Sequence, residues 1–126
     1  MTAVLRSGVD LVNVPALRSQ IERSSTDFTA RFLTASEREA IGGNIPSIAA
    51  RWAAKEATLK ALGTGIGPVD LLDIEVVKVD EVPTLVFRGS AEERAKALGL
   101  TTWTLSLSHE DEWAIAFVVA MGESYQ

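Results

Sequence analysis

Apolar and polar positions along the chain change period several times, and each change marks an element. Residues 3–14 alternate weakly and read as a buried strand, with Gly8 permitting close approach of another backbone. Pro15 suits the first turn of a helix in which Leu17 and Ile21 share a face through about residue 24. Thr34 and Glu37 form a T-x-x-E capping box ahead of a short helix that stops at Gly42-Gly43. Pro46 then opens the longest helix, which runs to Leu62 and ends at Gly63. Residues 73–79 and 84–87 read as a hairpin joined through Asp80 to Pro83. Ser90 with Glu93 starts another helix that ends at Gly99, and residues 101–108 and 113–121 make a final hairpin around the acidic turn Glu110-Asp111-Glu112. No repeat or linker interrupts residues 1–126, so the pattern predicts one α+β domain with helices packed on a largely antiparallel sheet.

The long helix repays an angular reading at about 100° per residue. With Arg51 set to zero, Leu62, Ile48, Leu59 and Trp52 fall at roughly 20°, 60°, 80° and 100°, forming a bulky apolar arc. Lys55 lies at roughly 40°, inside that arc, while Glu56 and Lys60 lie near roughly 140° and 180°, beside the small face of Ala53 and Ala57. Alanines let another backbone, or a ligand, come close.

Size and charge narrow the function. A chain of 126 residues buries roughly two-thirds of its unfolded surface. Its apolar share of 47% and mean hydropathy of +0.16 leave apolar surface that small domains often spend on subunit contacts. A net charge of −5 argues against a nucleic-acid binder. It also means that an anionic substrate must be caught by local charge. With no cysteine there are no disulfides, thiolate metal sites or cysteine nucleophiles. No 18-residue apolar run and no secretory n-region are present, so a cytoplasmic protein without a membrane span is expected.

Charged groups inside apolar runs are the candidates for chemistry, because a buried unpaired charge is costly and usually faces an opposite charge, a metal or a ligand. Asp10 sits between Val9 and Leu11; it caps a turn, pairs with an arginine such as Arg6, or acts as an oxygen ligand. Glu56 and Lys60 are either an ordinary i,i+4 surface pair or part of a site. Asp10 and Glu56, if adjacent, supply two hard oxygen ligands of the kind that suit magnesium, with Lys60 and Arg51 near to hold phosphate oxygens. His109 ends an alternating strand on the face of Trp103, Leu105 and Leu107, as a satisfied core residue or as a ligand contact beside Ser108 and Glu110. Other motifs fail. The run GTGIG at 63–67 follows a helix instead of opening one after a strand, the reverse of a dinucleotide or P-loop site. No G-x-S-x-G elbow accompanies Ser108 and His109, and one histidine without cysteine does not make a zinc site.

Taken in order, Gly8-Val9-Asp10, Arg31-Phe32-Leu33-Thr34 with Glu37, Arg51-Trp52-Ala53-Ala54-Lys55-Glu56-Ala57 with Lys60, Gly63-Thr64-Gly65-Ile66-Gly67, Asp73-Ile74-Glu75 and Ser106-Leu107-Ser108-His109-Glu110 resemble holo-[acyl-carrier-protein] synthases. These are the small class of 4'-phosphopantetheinyl transferases, and the resemblance spans nearly the whole chain. It implies transfer of the 4'-phosphopantetheine arm of coenzyme A to a serine of an apo acyl carrier protein, or of a carrier domain in a fatty acid synthase, for fatty acid biosynthesis. The resemblance further implies Asp10 and Glu56 as ligands of Mg²⁺, with Mn²⁺ equally suited to oxygen donors. By the same likeness Glu56 helps deprotonate the carrier serine and Lys60 serves the leaving phosphate. Arg51, Lys55, Ser108 and His109, with the loop glycines Gly63 and Gly65, are implied to contact coenzyme A. A homotrimer with sites between subunits is implied as well. The first helix offers only Arg18 and Arg23, with Arg31 following, to an acidic carrier, which suggests weaker or more apolar docking. Two other readings remain open: a non-catalytic coenzyme A-binding module of the same fold, and a purely structural trimeric domain.

Overall fold

The computed structural model describes residues 1–24 and 26–124. Strand β1 (Thr2–Asn13) opens the chain, and helix α1 (Val14–Arg23) follows with Asn13 as its N-cap. After a 3-10 turn at Phe28–Arg31 come the short helix α2 (Ala35–Ile41) and the long helix α3 (Ile45–Leu62). A second 3-10 turn at Leu71–Asp73 leads into β2 (Ile74–Val79) and β3 (Val82–Phe87), then α4 (Gly89–Ala97). Strands β4 (Leu100–His109) and β5 (Trp113–Ser124) close the fold. The strands form two antiparallel sheets, one ordered β1-β5-β4 and the other the β2-β3 hairpin. The expected α+β architecture is therefore present.

Helix α3 lies across the three-stranded sheet against β1 and β5. Its small face makes this possible: Ala53, Ala57 and Ala61 are fully buried, as are Ala116 and Ala120 of β5. Gly8 completes the contact, because a Cβ there would overlap the Ala57 carbonyl oxygen and sit 3.0 Å from the Ala61 amide nitrogen. The bulky arc of α3 packs elsewhere, against Phe32, Leu33, Val69 and Ile74. Phe32 and Trp52 meet edge to face with centroids 4.5 Å apart. Among the described residues, the other face of the sheet is bare: Leu5, Val9, Leu11, Trp113, Ile115, Phe117 and Met121 are all exposed.

Capping follows the sequence in places and departs from it in others. Thr34 and Glu37 form the expected box, and Gly42 and Gly63 end their helices in the left-handed region. The β2-β3 turn is tighter than the sequence suggests. Asp80 and Glu81 both take positive φ (51° and 66°), and Pro83 lies within β3, opposite Lys78. Pro83 is tolerated there because a two-stranded hairpin has only edge strands. Ser90 does not cap α4. The Asp73 carboxylate does so from outside the helix, accepting from the Ser90 amide at 2.9 Å and from its hydroxyl at 2.7 Å.

Candidate active site

The even positions of β1 face α3, which brings Asp10 to the helix edge that carries Glu56 and Lys60. Lys60 Nζ donates to the Val9 carbonyl at 2.8 Å and lies 3.4 Å from Asp10 Oδ1. Asp10 and Glu56 line one cleft of about 380 Å³, walled by Leu17, Gln20, Phe28 and Trp52. Burial pushes the Glu56 carboxyl above its ordinary pKa, the charge of Asp10 pushes it further, and Lys60 opposes both. Two carboxylates thus share a cleft with one lysine to balance them. That donor set fits a hard divalent cation, since magnesium takes one or two protein carboxylates and fills its other positions from water and phosphate. Among the described residues no group of three or more His, Asp or Glu side chains converges.

Arg51 and His109 line a different cavity, of about 590 Å³, together with Lys78, Ser36 and Ser47. Among the described residues the two cavities share no lining residue. Helix geometry explains the split: Trp52 and Glu56 stand about 100° and about 140° round α3 from Arg51, so their side chains leave it in different directions.

One assignment from the sequence needs correction. Lys55 is fully buried, and its ammonium donates to Glu37 Oε1 at 2.7 Å, to the Leu71 carbonyl at 3.0 Å and to the Ile74 carbonyl. Burial lowers its pKa and Glu37 opposes that shift. Three acceptors satisfy all three N–H donors of an ammonium, so Lys55 ties α3 to α2 and β2 and has none left for a phosphate. Ser108 and His109 are neighbours in β4 and leave it on opposite faces, His109 towards the second cavity and Ser108 beside the exposed Ile115. Gly63 caps α3 with φ of 68°, and a Cβ there would stand 3.2 Å from an Arg6 guanidinium nitrogen. Gly65 is exposed in the following loop, with open space around its Cα.

The residues that the sequence did not single out are Gln20 and Phe28, which wall the carboxylate cleft, and Lys78. The sequence marks Glu37 only as a capping residue. A signal for its second role was present, since a lysine in an apolar arc requires a buried acceptor.

A sequence model of the 4'-phosphopantetheinyl transferase superfamily matches residues 6–118. The chain belongs to this superfamily. Its similarity is to the holo-[acyl-carrier-protein] synthases within it: the chain is 47% identical over 118 residues to the synthase of Halorhodospira halophila, covering 89% of this chain and 93% of that protein. It is 39% identical over 127 residues to the synthase of Herpetosiphon aurantiacus, covering 94% of this chain and all of that one. The crystal structure of Helicobacter pylori holo-[acyl-carrier-protein] synthase in complex with coenzyme A superposes with a TM-score of 0.82 at 32% identity, over 90% of this chain and 98% of that one. The synthase family therefore supplies the frame for the two cavities.

Proposed function

We propose that the chain transfers the 4'-phosphopantetheine group of coenzyme A to a serine of an apo acyl carrier protein, or of a carrier domain in a fatty acid synthase, releasing adenosine 3',5'-bisphosphate. The observation that carries the reading is the convergence of Asp10 and Glu56 on one cleft, with Lys60 against Asp10, in the synthase fold. In this reaction the serine Oγ bonds to the outer phosphorus of the pyrophosphate and the bond from that phosphorus to the bridging oxygen breaks. Such transfers ask a protein mainly for positioning and charge stabilisation. Glu56 accepts the serine proton. Lys60, more than half exposed at its side chain, swings from Asp10 to the leaving phosphate and offsets its charge. Asp10 and Glu56 would hold Mg²⁺, or Mn²⁺, which supplies Lewis-acid charge at the pyrophosphate. Arg51 and His109 contact coenzyme A phosphates from the second cavity.

The active unit is a homotrimer with sites shared between subunits. Two observations support this: the bare apolar face of the three-stranded sheet, and the separation of Arg51 and His109 from the carboxylate cleft. The carrier approaches over α1, where Arg18 and Arg23 are exposed beside the cleft, with Arg31 stacked over Phe28 at 5.7 Å. The compartment is the cytoplasm, in keeping with a cysteine-free chain in which no described helix is long and apolar enough to cross a membrane.

The test is transfer by Asp10→Ala and Glu56→Ala, read as added phosphopantetheine mass on the carrier. Each variant should lose transfer while keeping the wild-type circular dichroism spectrum. Near-normal turnover by either removes the carboxylate assignment.

A further inference from the structure

Glu37 is 2% exposed, and its carboxylate is anchored from three sides. Oε1 accepts from the Thr34 amide at 3.0 Å and from Lys55 Nζ at 2.7 Å, while Oε2 accepts from the Val76 amide at 3.1 Å. These bonds fix its position relative to α2, α3 and β2. Arg51 Nη1 stands 4.0 Å from Oε2, close enough for attraction and too far for a hydrogen bond.

That gap leaves Arg51 unfinished. Its side chain is nine-tenths buried, and Nη1 is buried without any hydrogen-bond partner among the described residues. A buried guanidinium N–H is costly to leave unpaired. Among the described residues the cavity that Arg51 lines offers no further carboxylate: besides Glu37, its charged and polar walls are Lys78, His109, Ser36 and Ser47. Burial works against the charge of Arg51, and Glu37 and then Glu75 support it. The cavity side of the guanidinium is thus open to an anionic acceptor.

We propose that Glu37 is a positioning residue for the coenzyme A site, holding the Arg51 guanidinium at the cavity wall with Nη1 left for a phosphate oxygen. A closer contact would spend that donor within the fold, and no contact would leave the guanidinium without an anchor. This inference rests on the reading of Arg51 as a coenzyme A contact.

The experiment measures coenzyme A affinity by calorimetry, and KM and kcat for coenzyme A, well below each variant's Tm. Glu37→Gln and Arg51→Met should each raise Kd and KM on the order of tenfold, the scale of one charge-assisted hydrogen bond, with kcat changed far less. The double variant should be no worse than Arg51→Met alone, because Glu37 acts through Arg51. Leu33→Ala, a core truncation, should lower Tm and leave KM unchanged. Glu37→Asp keeps the charge that Lys55 requires while withdrawing from Arg51. It should show a smaller rise in KM, and it carries the test if Glu37→Gln does not fold. Wild-type affinity in the Glu37 variants beside a weakened Arg51→Met overturns the positioning role alone, as does additivity in the double variant. Unchanged affinity in Arg51→Met overturns the reading of Arg51 itself.

Discussion

Gly8→Ala tests whether the close seating of α3 on β1 sets the spacing of the two carboxylates. A Cβ at residue 8 would overlap the Ala57 carbonyl oxygen and stand 2.9 Å from its carbon and 3.0 Å from the Ala61 nitrogen. All three atoms are backbone, so no side chain can turn aside. Restoring ordinary contact requires α3 to withdraw from β1 by about 1 Å or more. Asp10 lies two residues along the same face of β1, and Glu56 immediately precedes Ala57, so the withdrawal opens the cleft between them. Overpacking of this kind costs about 1–3 kcal/mol of stability. A misplacement of about 1 Å in a reacting site costs on the order of a hundredfold in rate. Urea unfolding followed by tryptophan fluorescence gives the first number, and carrier mass gain over time gives the second. A folded Gly8→Ala protein that transfers at the wild-type rate would refute the argument that the α3–β1 distance governs the site.

Glu56→Gln, in EDTA, should be more stable than wild type at pH 7. The folded-state pKa of Glu56 is raised, so its ionised form destabilises the fold above that pKa, and the variant's advantage should fade as pH falls towards the ordinary value of 4.5. An advantage that grows at low pH, measured by urea unfolding across pH, would contradict the sign. Shared sites make a second prediction. Glu56→Gln and His109→Ala proteins, each inactive or weak alone, should regain transfer when unfolded together and refolded as mixed oligomers. Mixtures no better than their components would place a whole site within one subunit.

Much of this fold was legible because its signals are local. Pro46 and Gly63 bracket α3, Thr34 and Glu37 start α2, and the alternation around Asp10 marks β1. The misses are tertiary. Asp80 and Glu81 make a two-residue turn without the glycine that usually announces one. The α4 cap comes from Asp73, seventeen residues before Ser90. The angular reading placed Lys55 in the apolar arc but not its partner, since Glu37 lies eighteen residues away and the Leu71 and Ile74 carbonyls lie beyond the helix. The carboxylate cleft was anticipated as a condition on Asp10 and Glu56 being adjacent. Two of its walls were not, because Gln20 and Phe28 reach it only through the packing of α1 and the 3-10 turn that begins at Phe28.

The most direct measurement mixes the protein with an apo acyl carrier protein, coenzyme A and Mg²⁺, and weighs the intact carrier. The account predicts the gain of one phosphopantetheine arm, lost on adding EDTA and absent when the carrier's acceptor serine is replaced by alanine. A carrier of unchanged mass with wild-type protein that demonstrably binds coenzyme A would contradict it and leave a binding module of the same fold.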